Sequence, residues 1–485
     1  MYTLGRFLQI LLCLGLLAGC AYPVRNEPAQ DLSPDVGYRW NNLSGRGPSD
    51  TLVIVTASGG GTRAAALELS VLEGLDHVKL PDGITLANRI DILSSVSGGS
   101  VTAAYFALTG PSGFGNLEND FVRQDGIGAV LSKAIPFGLL RASAPHTERI
   151  DFLIDYFDQT LFRKHETYGD LLAKGTRPYL ILNAADMVEG VPFSFTQNNF
   201  DLLCSDLSKV KLSTAVAASA AFPVALSPVT LKNYSRCPAQ PAADWPPQWV
   251  TSEAKTNWYD NAERAARGRV QLAYALGGNS PSPKSYIHLL DGGIADNLGI
   301  AEPLRILTTN APAPGMLDDI ASGDIKNIIF IVINARSFAT STLDQSQATP
   351  SEIDDLSATV SSAIDRASTG SAAALRNALR DNLRARADAE RTTHADRAAN
   401  LERAAANAKL IEVDFDAIAD PECRTYFHSI GTSWTNSNAE IDSLLQVGKA
   451  LLGAAPDFLP AIGELHGQLQ GELPSLAQVC RSVRS

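Results

Sequence analysis

The heptapeptide SSVSGGS, residues 94–100, follows an apolar run at 90–93 and precedes VTAAYFAL at 101–108, which reads as a helix. A serine among small residues where a strand turns into a helix has two readings. It is a linker, or it is a nucleophile, because a tight strand-to-helix turn lifts one side chain above the sheet edge and requires small neighbours. Taken alone, such a turn is more often structural, so the decision rests on what surrounds it.

Upstream, LVIV (52–55) is a continuous apolar run, as expected of a strand buried on both faces of a parallel sheet. SGGG (58–61) breaks it, and a helix follows over 62–75, with Ala65, Leu69 and Leu72 on one side. Two strand–glycine turn–helix units in succession open an α/β fold. Further strands are predicted at 179–182, 193–195, 285–290, 327–334 and 409–415. Residues 110–176 read as mostly helical, with an apolar string from Ile150 to Phe162, and the apolar strings at 135–162 either line a channel for an apolar ligand or are plain core. An Ala/Arg-rich stretch at 351–409 has Ile353, Leu356, Val360 and Ile364 at helical spacing, then Leu375, Leu379 and Leu383 after a break at Gly370. Its charged face suggests a solvated surface hairpin. Helices at 437–453 and 457–470 close the chain.

Three turns carry candidate chemistry. The first is SGGGTR, residues 58–63, whose glycines expose backbone N–H groups with no Cβ in the way. It is suited to a phosphate or to an oxyanion. No GK[ST] follows, which excludes a P-loop, and the second strand ends in SSVSGGS rather than in the acidic residue that dinucleotide binding requires. The second is the elbow itself, Ser95-x-Ser97-x-Gly99. The third is LDGGIADN, residues 290–297, with Asp291 at a strand end. Each is weak alone. Together they supply oxyanion donors, a nucleophile and a carboxylate, all expected at the C-terminal edge of a parallel sheet, where sites gather.

In this order the three turns resemble the GGGxR loop, GxSxG elbow and DGG turn of the patatin-like phospholipase family. ASAAFP (218–223) resembles the family's ASxAxP segment, and NAAD (183–186) is a further match. The resemblance runs from about 52 to 336 and resumes near 432–452. It implies a three-layer α/β/α fold with a mostly parallel central sheet, here with a long helical insertion. It also implies a serine acyl hydrolase, a phospholipase A or lipid esterase, with Ser97 as nucleophile and Asp291 as its partner in a dyad. Gly59, Gly60 and Gly61 would hold the oxyanion, with Arg63 fixing their loop; no metal or organic cofactor is called for. Two positions depart from the family pattern: Ser95 stands for the elbow's first glycine, and Ser58 for an acidic residue ahead of the loop. His288 is no third member, because residues i and i+3 of a strand face opposite ways. A catalytically inactive scaffold of the same fold is the alternative, and a nucleotide-binding oxidoreductase a more distant one.

The chain has 485 residues, 45% hydrophobic and 19% charged, enough for a sizeable core. A net charge of −12 without any basic cluster argues against nucleic acid and against electrostatic docking on anionic lipid. The apolar run at 7–17 is too short to cross a bilayer and fits a signal peptide. LAGC (17–20) resembles a lipobox, which implies Cys20 as the lipidation site and would place the protein on the periplasmic face of the bacterial outer membrane, close to a membrane-lipid or phospholipid substrate. The expected organisation is a signal at 1–19, Cys20 and a flexible tether to 50, a catalytic domain at 51–340, the helical insertion at 341–408, a return to the catalytic domain at 409–454, and C-terminal helices at 455–485. Cys204, Cys237, Cys423 and Cys480 can form two disulfides in any of three pairings; closeness in sequence favours Cys204–Cys237 and Cys423–Cys480.

Overall fold

The computed structural model describes residues 23–33, 35–45, 49–126, 128, 130, 147–223, 225–234, 245–258, 261–309, 315–338, 347, 349 and 351–484. The expected signal peptide and Cys20 lie outside them. The strands are β1 (Thr51–Ala57), β2 (Val78–Lys79), β3 (Ile92–Val96), β4 (Tyr179–Asp186), β5 (Pro192–Ser194), β6 (Val229–Lys232), β7 (Tyr286–Asp291), β8 (Asn327–Asn334), β9 (Lys409–Asp414) and β10 (Gln468–Leu469). The helices needed below are α1 (Gly61–Asp76), α2 (Gly98–Thr109), α3 (Leu212–Ser219), α4 (Ala262–Leu276), α5 (Gly293–Asp296), α6 (Ala301–Thr308), α7 (Glu352–Glu390), α8 (Ala395–Asn407) and α9 (Asn438–Ala454).

The main sheet runs β6-β7-β4-β3-β1-β8-β9, with β5 paired to β4. From β4 to β9 the strands are parallel, whereas β5, β6 and β7 join antiparallel. All seven residues of β1 are buried, as a strand covered by helices on both faces requires. The sheet is therefore mixed at one end, and Asp291 does not end a parallel strand. Because β7 runs against β4, it enters from beyond the parallel edge and ends opposite Ala184. In β3, Val96 pairs with Asn183 one residue earlier, so Ser97 and Asp291 arrive at one level of the sheet from opposite directions.

Three expectations change. Most of the stretch assigned to a flexible tether packs onto the body: Tyr38 is fully buried, stacks on Tyr179 and accepts the Leu180 N–H, while Arg177 lies 3.3 Å over the Trp40 ring. Its aromatic residues, rather than its prolines and glycines, decide that placement. Next, α7 runs without interruption through Gly370. One glycine costs a helix about 1 kcal/mol against alanine, too little to stop a stretch this rich in Ala and Arg. It is Leu375, Leu379, Leu383 and Ala387 that bury a stripe, matched by Ala398, Leu401 and Ala405 of α8. Finally, β6 and the two-stranded β2–β10 pair were not expected; both are short, and β10 replaces the last turns of the helix predicted over 457–470.

A disulfide joins Cys423 to Cys480 across 57 residues. Cys204 is disulfide-bonded too, and Cys237 lies outside the described residues. Among the described residues no helix is long and apolar enough to cross a membrane.

Candidate active site

At the junction of β3 and α2, Ser97 has φ 50° and ψ −119°, a conformation that side-chain-bearing residues rarely adopt. The next residue must be glycine, since a Cβ on Gly98 would stand 2.0 Å from the Gly61 carbonyl oxygen. Ser95, by contrast, is an ordinary strand residue paired with Ala57 and Leu182. It tolerates a side chain there, and its buried hydroxyl has no partner among the described residues.

The elbow is strapped from one side by the end of α3. The Ser97 N–H donates to Ser219 Oγ (2.9 Å), Ser219 Oγ donates to the Asn183 carbonyl (2.5 Å), and Ser100 Oγ lies 2.8 Å from Ser219 Oγ. The same segment holds Asp291 in place, because Asp291 N–H donates to the Ala221 carbonyl and Gly292 N–H to that of Ser219. Asn183 supports the arrangement from β4, donating to Ser94 Oγ and to the Ser95 carbonyl. Ser219 and Asn183 both fall in matched sequence motifs, but only the register of β4 between β3 and β7 reveals what they do.

Ser97 Oγ donates to Asp291 Oδ2 at 2.8 Å, and Asp291 Oδ1 accepts the Gly293 N–H. Burial pushes the Asp291 carboxyl up to about 6, and these two hydrogen bonds hold it from going higher. No histidine completes a triad among the described residues. His288 faces the other way, beside Thr230 Oγ1, and His428 is occupied by Asp416.

The glycine loop lies against the elbow, with the Cβ position of Gly59 3.1 Å from Ser97 Cβ. Its three glycines differ. The Gly59 N–H donates to the carbonyl and Oδ1 of Asn297, so it holds the loop rather than waiting for an oxyanion. Gly60, at φ 141°, lines the cavity, and its N–H has no acceptor among the described residues. Gly61, at φ 61°, is pressed against Ser433, whose carbonyl oxygen would lie 2.2 Å from a Cβ there. Arg63 is almost fully buried and donates to the Ala335 and Ile430 carbonyls and to Thr432 Oγ1. Ser58 accepts the Ala335 N–H (2.9 Å) and so fastens the loop to the end of β8 without an acidic group. Asn297 is the positioning residue that sequence reasoning quoted without giving it a part.

Ser97, Asp291, Gly60 and Asn297 line one cavity of about 410 Å³, walled further by Phe222, Phe338 and by Ile364 of α7. Of the apolar strings at 135–162 read as a channel or as core, residues 135–146 lie outside the described residues and none of 147–162 lines this cavity; Ile150, Leu153, Phe157 and Phe162 are core.

A family model described as patatin-like phospholipase matches residues 55–304. Among solved structures, human GIVD cytosolic phospholipase A2 is similar at 13% identity and a TM-score of 0.34, over 70% of this chain and 56% of that one. The same human protein in complex with methyl gamma-linolenyl fluorophosphonate inhibitor and terbium chloride is similar at 15% identity and a TM-score of 0.31, over 63% and 45%. This chain thus spans about half the length of those structures. No curated protein sequence matches it.

Proposed function

This chain belongs to the patatin-like phospholipase family, and from that premise we propose that it is a serine acyl hydrolase cleaving fatty-acyl esters of phospholipids or related lipids through Ser97 and Asp291. The observation that carries the reading is the 2.8 Å hydrogen bond between their side chains, both on the wall of one cavity. Asp291 accepts the Ser97 proton as Oγ attacks the ester carbonyl. Negative charge then gathers on the carbonyl oxygen, beside the Gly60 N–H at the start of α1 and the Gly98 N–H at the start of α2. Well-placed donors of this kind lower the barrier by roughly 3–4 kcal/mol. The tetrahedral species collapses to an acyl-Ser97, and the leaving alcohol takes the proton back. Water, deprotonated by Asp291, attacks the acyl-enzyme and releases the fatty acid. Phe222, Phe338 and Ile364 supply apolar surface for an acyl chain.

Fluorophosphonate labelling followed by mass spectrometry tests this. A single adduct on Ser97, absent in Ser97→Ala together with ester hydrolysis, is the expected result. A folded wild-type protein without adduct in the presence of lipid would leave the inactive scaffold as the better reading. In the same proposal Cys20 is acylated and tethers the enzyme to the periplasmic face of the outer membrane; the mass of the mature N-terminal peptide checks it.

A further inference from the structure

The second half of α7 covers another cavity, of about 200 Å³, which shares no described lining residue with the catalytic one. Helix α5 stands between them: Asp291 and Asn297, at its two ends, line the catalytic cavity, and Ala295 and Asp296 line this one. Three arginines from two helices meet there, Arg264 and Arg267 of α4 and Arg305 of α6.

Each arginine keeps an unused donor among the described residues. Arg305 has a side chain sealed from solvent, and it gives Nε and Nη2 to Glu302 while Nη1 bonds to nothing. Arg267 is nine-tenths buried; its Nε has no hydrogen bond, and its nearest carboxylate, Glu253, is 3.8 Å away. Arg264 is half-buried, and its Nε is likewise buried and unbonded. Buried donors without acceptors destabilise a fold, so folded proteins rarely gather three of them around one space. The wall also holds one unused acceptor, Oδ1 of the buried Asp296. Glu263, also on the wall, is exposed at the mouth.

We propose that this cavity binds a phosphate group that still carries a proton, either inorganic phosphate or a phosphate monoester. Its charged oxygens meet the three guanidinium donors, bonds for which arginine is well suited. Its P–OH donates to Asp296. Sulfate is fully ionised near neutral pH and has no proton to give, and an ordinary diester headgroup has none either. The volume falls below the roughly 300–1,000 Å³ of sites that enclose drug-sized ligands, so the occupant is a headgroup or a free ion and not an acyl chain.

Thermal unfolding of the full chain near pH 7, at constant ionic strength held by chloride, tests the site. The probes are inorganic phosphate, a soluble short-chain phosphatidate, and sulfate. Inorganic phosphate or the phosphatidate is expected to raise Tm by about 2 °C or more at saturation, sulfate to leave it unchanged, and Arg264→Gln to abolish the rise while short-ester hydrolysis stays at the wild-type rate. A response to inorganic phosphate identifies the free ion, and one to the phosphatidate alone identifies a lipid monoester. No rise with either compound, an equal rise with sulfate, or a rise that survives Arg264→Gln overturns the proposal.

Discussion

The nucleophile elbow and the glycine loop both open a helix, and they touch where Gly98 meets Gly61, yet different parts of the chain hold them. The elbow and Asp291 hang on β4, β7 and the end of α3, all between residues 183 and 293. The loop is tied through Ser58 and Arg63 to Ala335, Ile430 and Thr432, and Thr62 donates its N–H to the Ser433 carbonyl. The elbow with Asp291 and the glycine loop are thus fixed mainly by separate sets of bonds, linked by Asn297, which holds the Gly59 N–H. A substitution on one side is expected to impair one function and leave the other.

Asp291→Asn strikes the elbow side hardest. It removes the base and keeps the shape, so kcat should fall roughly 10³-fold or more, with Tm near that of the wild type. Gly98→Ala should break both sides together, since its Cβ cannot coexist with the Gly61 carbonyl 2.0 Å away. Activity loss of about 10²-fold or more, with a lowered Tm, is expected; wild-type turnover would show that the two turns are not in contact. Arg63→Gln loosens only the loop. An expected loss of about 10²-fold in kcat, with fluorophosphonate labelling of Ser97 slowed far less than ester turnover, would separate the two functions, and equal losses would merge them. The mildest test is pH. Only ionised Asp291 accepts a proton, and its carboxyl sits at about 6. So kcat/KM should fall about tenfold per unit below pH 6 and level off above it; a flat profile between pH 5 and 7 would remove Asp291 as base.

The elbow side was legible in the sequence because its parts are motifs: Ser97 between small residues, and Asp291 before two glycines. The strand runs at 52–55 and 327–334 also announced a buried parallel sheet by their apolar continuity. The direction of β7 was not legible, since hydrophobic pattern is blind to whether a strand runs parallel or antiparallel. Nor was the division of labour among Gly59, Gly60 and Gly61, because it depends on Asn297 and Ser433, which are remote in sequence. Tyr38 and Trp40 were hidden among tether-like residues for the same reason: their partners, Tyr179 and Arg177, lie some 140 residues away.

The clamp on Arg63 has a consequence for biosynthesis. Its acceptors at Ile430 and Thr432 leave the ribosome about 370 residues after the arginine itself, and the disulfide that anchors the neighbouring helix to Cys480 closes only when nearly the whole chain is present. A nascent or truncated chain ending before Ile430 has its serine and its aspartate but lacks the Ile430 and Thr432 acceptors of Arg63, and with them part of what fastens the glycine loop. The order of synthesis therefore leaves the glycine loop without its full Arg63 clamp until the last segment is in place.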